Sequence, residues 1–305
     1  MRRIVSRVLP DGTVRNVQPF HVSMEGMETA VLCRDDLDYD AFVKIICVSA
    51  RRKNVIVIIY AVVSNHSHVG VLSCSQKDAD AYGEEIKRVS SMWLSRRYGD
   101  RGRLQGVDVK ALPLDTDWYL RNALAYIPRN ALDNGCNVNE YRWSGYRAMF
   151  RNRELPPGPW RKVSEMKQRE RRAVMHTADS LDDVPWLVDA SGALIPESFC
   201  DTDYLEQVFN HDQVYFIRTI GGQNAAEMRQ KLIDAPRTMV NDTDFYQDVD
   251  VIANRWFHSG LPALSLEQKI RLIPHIKRTR KTTISQLARV FGLKREQISA
   301  ILNVR

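Results

Sequence analysis

The most apolar stretch of the chain, VIVIIYAVVSNHSHVGVL at residues 55–72, carries two histidines separated by a single residue. Val and Ile dominate it, which predicts a buried β-strand. Side chains alternate along a strand, so His66 and His68 are expected on one face and Ser67 on the other. Two imidazoles side by side at a strand end can bind one divalent metal. The plainer alternative is a pair of hydrogen-bonded histidines on a half-buried strand, and only the rest of the chain can decide between them.

Upstream, Phe20, His21 and Val22 mark an earlier strand. Asp35, Asp36 and Asp38 open a helix containing Phe42, Ile45, Ile46 and Ser49. It closes on Arg51, Arg52 and Lys53, whose charges suit a helix C-terminus. Downstream, Tyr82, Ile86, Val89 and Trp93 form a stripe on a second helix at about 78–97, expected to be core. Gly99, Gly102 and Gly106, interleaved with Arg97, Arg101 and Arg103, then make a flexible basic loop suited to a nucleic-acid backbone. A strand at 107–112 and a third helix, starting near Asp115 or Asp117, follow. Strand–helix alternation of this kind implies a small α+β sheet with helices on one face. On the third helix Tyr126 and Asn130 are four residues apart and share a face if the helix is straight. A tyrosine hydroxyl can act as nucleophile and an amide oxygen as metal ligand; otherwise Tyr126 is core and Asn130 a helix-end residue.

The charge distribution is uneven. Residues 1–150 carry 21 Lys/Arg against 17 Asp/Glu, residues 151–265 carry 13 against 18, and residues 266–305 carry 10 against 2. A basic excess concentrated in forty residues favours a polyanion, nucleic acid being the commonest. There Leu287, Ala288 and Phe291 take helical spacing, Gly292 follows as a turn residue, and Ile298, Ile301 and Leu302 give a second helical face. Ala288, Gly292 and Ile298 occupy the small, turning and anchoring positions of a helix-turn-helix. Thr283 or Ser285 is the expected cap of the first helix. The second helix would present Lys294, Arg295, Gln297 and Ser299 to a duplex groove, with Lys277, Arg278, Arg280 and Lys281 as phosphate contacts. A helical hairpin docked on the rest of the chain is the alternative.

Other classes are disfavoured. At 44% hydrophobic residues the chain can bury a core. Its apolar runs are broken well short of 18 residues, so no membrane span is expected. The N-terminal arginines lead into no apolar segment, so no secretory signal is expected. Five scattered cysteines without a C-x-x-C pair fit a reducing cytosol and argue against a zinc ribbon or disulfide framework. Residues 154–160, ELPPGPW, read as a linker. WRKVSEMKQRERRAV reads as a charged helix after it, and ESFCDTDYLEQVFN and AAEMRQKLID as short amphipathic helices. No catalytic constellation is visible in this acidic middle.

The segments FHVSMEG, YAVVSNHSHVGVL, RRYGDRGRLQGVDVKAL, YIPRNALDNG and EYRWSGYRAMF occur in that order. Over residues 17–150 they resemble the single-tyrosine transposases of the His-hydrophobic-His (HUH) nuclease superfamily, closest to the REP-associated tyrosine transposase branch. The resemblance implies a ferredoxin-like antiparallel sheet with helices at 1–153. A helical linking region at 154–262 and a helix-turn-helix unit at 263–305 would follow. It implies Tyr126 as nucleophile, His66, His68 and Asn130 as ligands of Mg²⁺ or Mn²⁺, and single-stranded hairpin DNA as substrate. The helix-turn-helix would add duplex DNA as a partner. A homodimer and a cytoplasmic, nucleoid-associated setting in a prokaryotic cell are consistent with it. The chain departs from the family at Ser67, where an apolar residue is usual, at Pro128, where a histidine is frequent, and at Ala131, where proline is. Pro128 is expected to kink or end the helix between Tyr126 and Asn130. Two other functions fit parts of the pattern: a DNA-binding regulator that keeps the fold without the chemistry, and a metal-dependent hydrolase of small phosphorylated substrates.

Overall fold

The computed structural model describes residues 4–25, 31–99, 102, 104–134, 136–152, 154–231, 240 and 242–303. The first half of the chain runs β1 (Val5–Val8), β2 (Val14–Glu25), α1 (Asp36–Lys53), β3 (Ile56–Val62), β4 (Ser67–Ser73), α2 (Gln76–Tyr98), β5 (Asp108–Pro113) and α3 (Asp117–Arg129). The second half runs β6 (Trp160–Lys162), α4 (Gln168–Met175), β7 (Leu187–Asp189), α5 (Thr202–Val208), α6 (Gln213–Lys231), α7 (Asp242–Phe257), α8 (Leu266–Thr279), α9 (Ile284–Phe291) and α10 (Arg295–Asn303). The class is α+β, as expected. Among the described residues no helix is long and apolar enough to cross a membrane.

The apolar run at residues 55–72 is two strands, not the single strand expected. Val63 donates its N–H to the His66 carbonyl at 2.9 Å, closing a turn, and β3 and β4 pair antiparallel with Ala61 opposite His68. The polar Ser64 and Asn65 supply the turn chemistry. The main sheet is antiparallel in the order β5-β2-β4-β3, and β1 pairs only the first part of β2. β3 would be a bare edge, but later segments cover it. Val62 donates to the Trp143 carbonyl at 3.0 Å, Ser144 to the Tyr60 carbonyl at 3.1 Å, and Asp201 to the Val57 carbonyl at 2.8 Å.

Alternation along β2 separates Phe20, Val22 and Met24 on one face from His21 and Ser23 on the other. The apolar face receives α2, so tightly that a Cβ on Gly83 would stand 2.3 Å from Val109 Cγ1 and 3.0 Å from Val22 Cγ1. α1 lies beside α2, with the Tyr82 hydroxyl donating to the Ile46 carbonyl. α3 lies on the opposite face, above Gly70. The expectation of helices on one face is therefore corrected: β4 is apolar on both sides, and its second side needs its own cover.

Local signals account for the helix ends. Asp35 caps α1 by accepting from the Asp38 N–H, with acidic residues in the first turn and Arg51, Arg52 and Lys53 in the last. Thr116 caps α3 by accepting from the Tyr119 N–H. Each such cap is worth about 1 kcal/mol. The expected helix beginning at Trp160 is instead β6, a 3₁₀ turn and then α4. Pairing with β7 and the bond from Val163 N–H to the Trp186 carbonyl claim these backbone groups first. Val163, Met175, Trp186, Leu205, Phe209 and Phe216 are buried in the same core as the sheet. α7 to α10 build a second core around Phe245, Val249, Leu272, Ile276, Leu287, Phe291 and Ile298, which also takes in Val31.

His176 ends α4 and packs against Trp93, its ring tilted at 49° with centres 4.8 Å apart. Burial, and then the nearby charges of Lys44 and Arg97, hold its pKa down to about 4 from the ordinary 6.5. Above pH 6.5 it is neutral folded or unfolded, and its contribution to stability is complete. As the pH falls from there towards 4, the unfolded chain takes up a proton that the folded chain refuses. Stability then drops by up to about 2 kcal/mol, allowing for partial exposure. His176→Asn keeps a residue tolerant of the φ of 51° found here and should flatten the fall in melting temperature across that window. Equal slopes in the two proteins would refute the assignment.

Candidate active site

The β3–β4 hairpin and α3 bring three of the residues singled out in the sequence to one place. His68 lies on β4 opposite Ser23 of β2, and His21 of β2 lies opposite Gly70 of β4. Register therefore puts His21, Ser23, His68 and Gly70 on one face. α3 crosses that face at Gly70, where a Cβ would stand 2.9 Å from Leu124 Cδ2 and 3.3 Å from Ile127 Cδ1. The close crossing sets the Tyr126 ring 5.2 Å from the ring of His68 and 6.4 Å from that of His21. His66, just past the turn, holds its ring edge-on to His68 at 4.8 Å. The Arg129 guanidinium stands 5.6 Å from the centre of the Tyr126 ring.

The protonation pattern follows from the hydrogen bonds. His66 Nδ1 donates to Asn65 Oδ1 at 2.7 Å, which leaves the lone pair on Nε2. His68 Nδ1 and His21 Nε2 lie 3.0 Å apart in a buried bond that holds one proton between them. Burial pushes the His68 pKa well below the usual histidine range, and the neighbouring His66, His21 and Arg129 charges add to this. His68 is thus neutral, the form in which an imidazole binds a metal. Its bond to His21 is the type of outer-shell contact that fixes a ligating ring.

Pro128 does not break α3 before Arg129. The helix ends there, and a 3₁₀ turn at Asn130–Asn134 continues the chain. The Asn130 amide donates to the carbonyls of Tyr126 and Ile127 at 2.9 and 3.1 Å. Its Oδ1 is buried and accepts no hydrogen bond. A buried acceptor left over in this way calls for an explanation, an ion being one. Among the described residues no three His, Cys, Asp or Glu side chains group into a metal site. Two imidazoles with an amide oxygen fit a divalent ion with a mixed nitrogen and oxygen shell.

The basic residues divide. Arg97 is engaged by Asp35 and by the fully buried Asp38, which also accepts from Trp93 Nε1 at 2.9 Å and the Tyr98 hydroxyl at 2.7 Å. These bonds tie it to the start of α1. Arg101 and Arg103 lie outside the described residues. In the C-terminal unit Thr283 caps α9, and Gly292 turns the chain at φ 64°. Leu287, Ala288, Phe291 and Ile298 are buried between the helices. Lys294, just before α10, and Arg295 and Gln297 on it are exposed, and Ser299 is half-buried. Gln297 Oε1 also accepts the Lys294 N–H at the helix start. Of the four residues before α9, Lys277 donates to the Thr282 carbonyl and Arg280 pairs with Asp248, whereas Arg278 and Lys281 are exposed.

His21 was not among the sequence-derived site residues. Its signal was the alternation Phe20, Val22, Met24 against His21, Ser23, which marks a polar face on a buried strand without saying what lies opposite. Protein families, curated proteins and solved structures, compared with this chain, gave no match.

The approach of α3 depends on Gly70. Gly70→Val should push α3 away and lower stability by about 1–3 kcal/mol, the usual cost of overpacking. Gly12→Ala, in open space but at φ 82°, serves as a control that strains a turn without touching α3. A Gly70→Val protein that melts with the wild type would show that α3 does not rest on this contact.

Proposed function

We propose that this chain is a metal-dependent single-strand DNA endonuclease and strand transferase of the single-tyrosine HUH type. The observation that carries the reading is the meeting of Tyr126 with the His66–His68 pair, 5.2 Å from His68 ring to ring, on a helix capped by Asn130, whose buried amide oxygen accepts no hydrogen bond. Two features support the fold assignment behind it. The order β2-α1-β3-β4-α2-β5, with strands arranged β5-β2-β4-β3, is that of a split β-α-β, ferredoxin-like sheet. α9, the Gly292 turn and α10 resemble a helix-turn-helix in spacing and burial.

The chemistry follows from the residues. The Tyr126 oxygen attacks a backbone phosphorus and the P–O3′ bond breaks. A 5′-phosphotyrosine forms, and the 3′ oxygen leaves as a hydroxyl, taking up a proton equivalent to the one lost by the phenol. One phosphodiester replaces another, so the bond energy is kept for rejoining and no nucleotide cofactor is needed. A phenol that keeps its proton is a weak nucleophile, and the Arg129 guanidinium lies 5.6 Å from the centre of the Tyr126 ring. His66, His68 and Asn130 would hold Mg²⁺ or Mn²⁺, which when bound would polarise the phosphate and offset charge on the leaving oxygen. His21 keeps the His68 ring in place, and the exposed Lys294 and Arg295 supply duplex contacts through α10.

A covalent-trapping assay decides the reading. Hairpin oligonucleotides with single-stranded flanks, incubated with Mn²⁺ or Mg²⁺, should give a protein–DNA band stable to denaturation. Tyr126→Phe should abolish it, and His66→Ala should leave less than about a hundredth of the yield. DNA binding with no band under any metal would instead identify a DNA-binding regulator that has kept the fold alone.

A further inference from the structure

We infer that Asp242 is a positioning residue that ties the histidine turn to the candidate DNA-reading helices. Asp242 opens α7 and is 7% exposed, with its carboxylate shared between two distant elements. Arg289 of α9 pairs with it through Nε and, at 3.0 Å, through Nη2. The hydroxyl of Ser64, itself 3% exposed, donates at 3.2 Å to the same Oδ2 that accepts from Arg289 Nε. Ser64 sits in the turn two residues before His66. Its carbonyl is also held, by the N–H groups of Leu32 and Cys33 at 2.7 and 2.9 Å. The next residue of α7 braces the same corner: Thr243 donates to the Cys33 carbonyl and bonds the Tyr39 hydroxyl, both at 2.9 Å. A carboxylate buried this deeply is tolerable only while both partners stay in place. A shift of α9 is therefore felt at Ser64, and a shift of the turn at α9. This rests on the nuclease reading for its purpose: duplex DNA held by α10 would meet Tyr126 at a fixed offset, giving one cut position. The linkage itself does not depend on catalysis.

Reciprocity makes the linkage testable from both ends. Hydrogen exchange in the intact protein reads the amides of Val63, Leu32 and Cys33 at the turn and those of α9. Arg289→Gln should speed exchange at Val63, Leu32 and Cys33 by about tenfold or more, although residue 289 bonds none of them. Ser64→Ala, a milder change, should speed exchange in α9. Arg289→Lys, which keeps a cation for Asp242, should recover most of the protection, and Arg295→Ala on the exposed side of α10 should alter neither. Turn amides indifferent to Arg289→Gln, together with α9 amides indifferent to Ser64→Ala, would overturn the proposal. On a hairpin oligonucleotide, Asp242→Asn should spread the Tyr126 adduct over several positions where the wild type gives one. A single unchanged position would remove its positioning role. Coupled exchange without any adduct in the wild type would keep the linkage and sink the nuclease reading; an adduct without coupling would do the opposite.

Discussion

The antiparallel pairing of β2 with β4 fixes where every group of the candidate site stands. It sets Ser23 opposite His68 and His21 opposite Gly70. Strand side chains have a period of two, so a slip of one residue would send His21 to the helix-covered apolar face and turn Phe20 and Val22 towards α3. The apolar residues on β2 and β4 make that slip costly, and so the register that builds the core also builds the site. Gly70 completes the arrangement. There a Cβ would stand 2.9 Å from Leu124 Cδ2 of α3, and a larger residue would lift Tyr126 away from the imidazoles.

Much of this was legible in the sequence where a local rule governs it. The acidic start of α1 at Asp35, the cap at Thr283, the glycine turn at Gly292 and the start of α3 near Asp117 are short-range features, and each is found where side-chain chemistry puts it. The hairpin inside residues 55–72 was missed because Val and Ile on both sides of the turn outweighed the turn-forming Ser64 and Asn65. His21 escaped because its role lies in a bond to a residue 47 positions away. Arg97 illustrates the same limit. A cation just before a glycine-rich loop suits a phosphate as well as a carboxylate, and only the fold reveals its pairing with Asp35 and Asp38.

Buried carboxylates do the joining in this chain. Asp38 gathers Trp93, Arg97 and Tyr98 from α2, together with the Arg34 N–H, onto the first turn of α1. Asp242 gathers Arg289 and Ser64 onto the first turn of α7. Each sits where the partial positive charge of a helix start favours an anion. Neither needs to add net stability, since burying paired charges is close to neutral against an apolar replacement. Their effect is specificity, because a shift of either partner would leave a charge buried alone, and only one arrangement of the elements avoids that.

The charge map gains a different meaning in three dimensions. The acidic middle would oppose a polyanion if its carboxylates faced solvent unpaired. Instead Asp179 and Asp183 pair with Arg52 and Arg51 at the end of α1, and Asp201 pairs with Arg7 of β1. Asp248 pairs with Arg280 in the same way. Partial exposure keeps each of these pairs weak as a source of stability. Together they shorten the reach of the negative field, which at physiological salt already fades within roughly 8 Å. Arg278, Lys281, Lys294 and Arg295 remain at the surface of the C-terminal unit. The local excess of cations there, rather than the net charge of the chain, is the field that an approaching nucleic acid would meet.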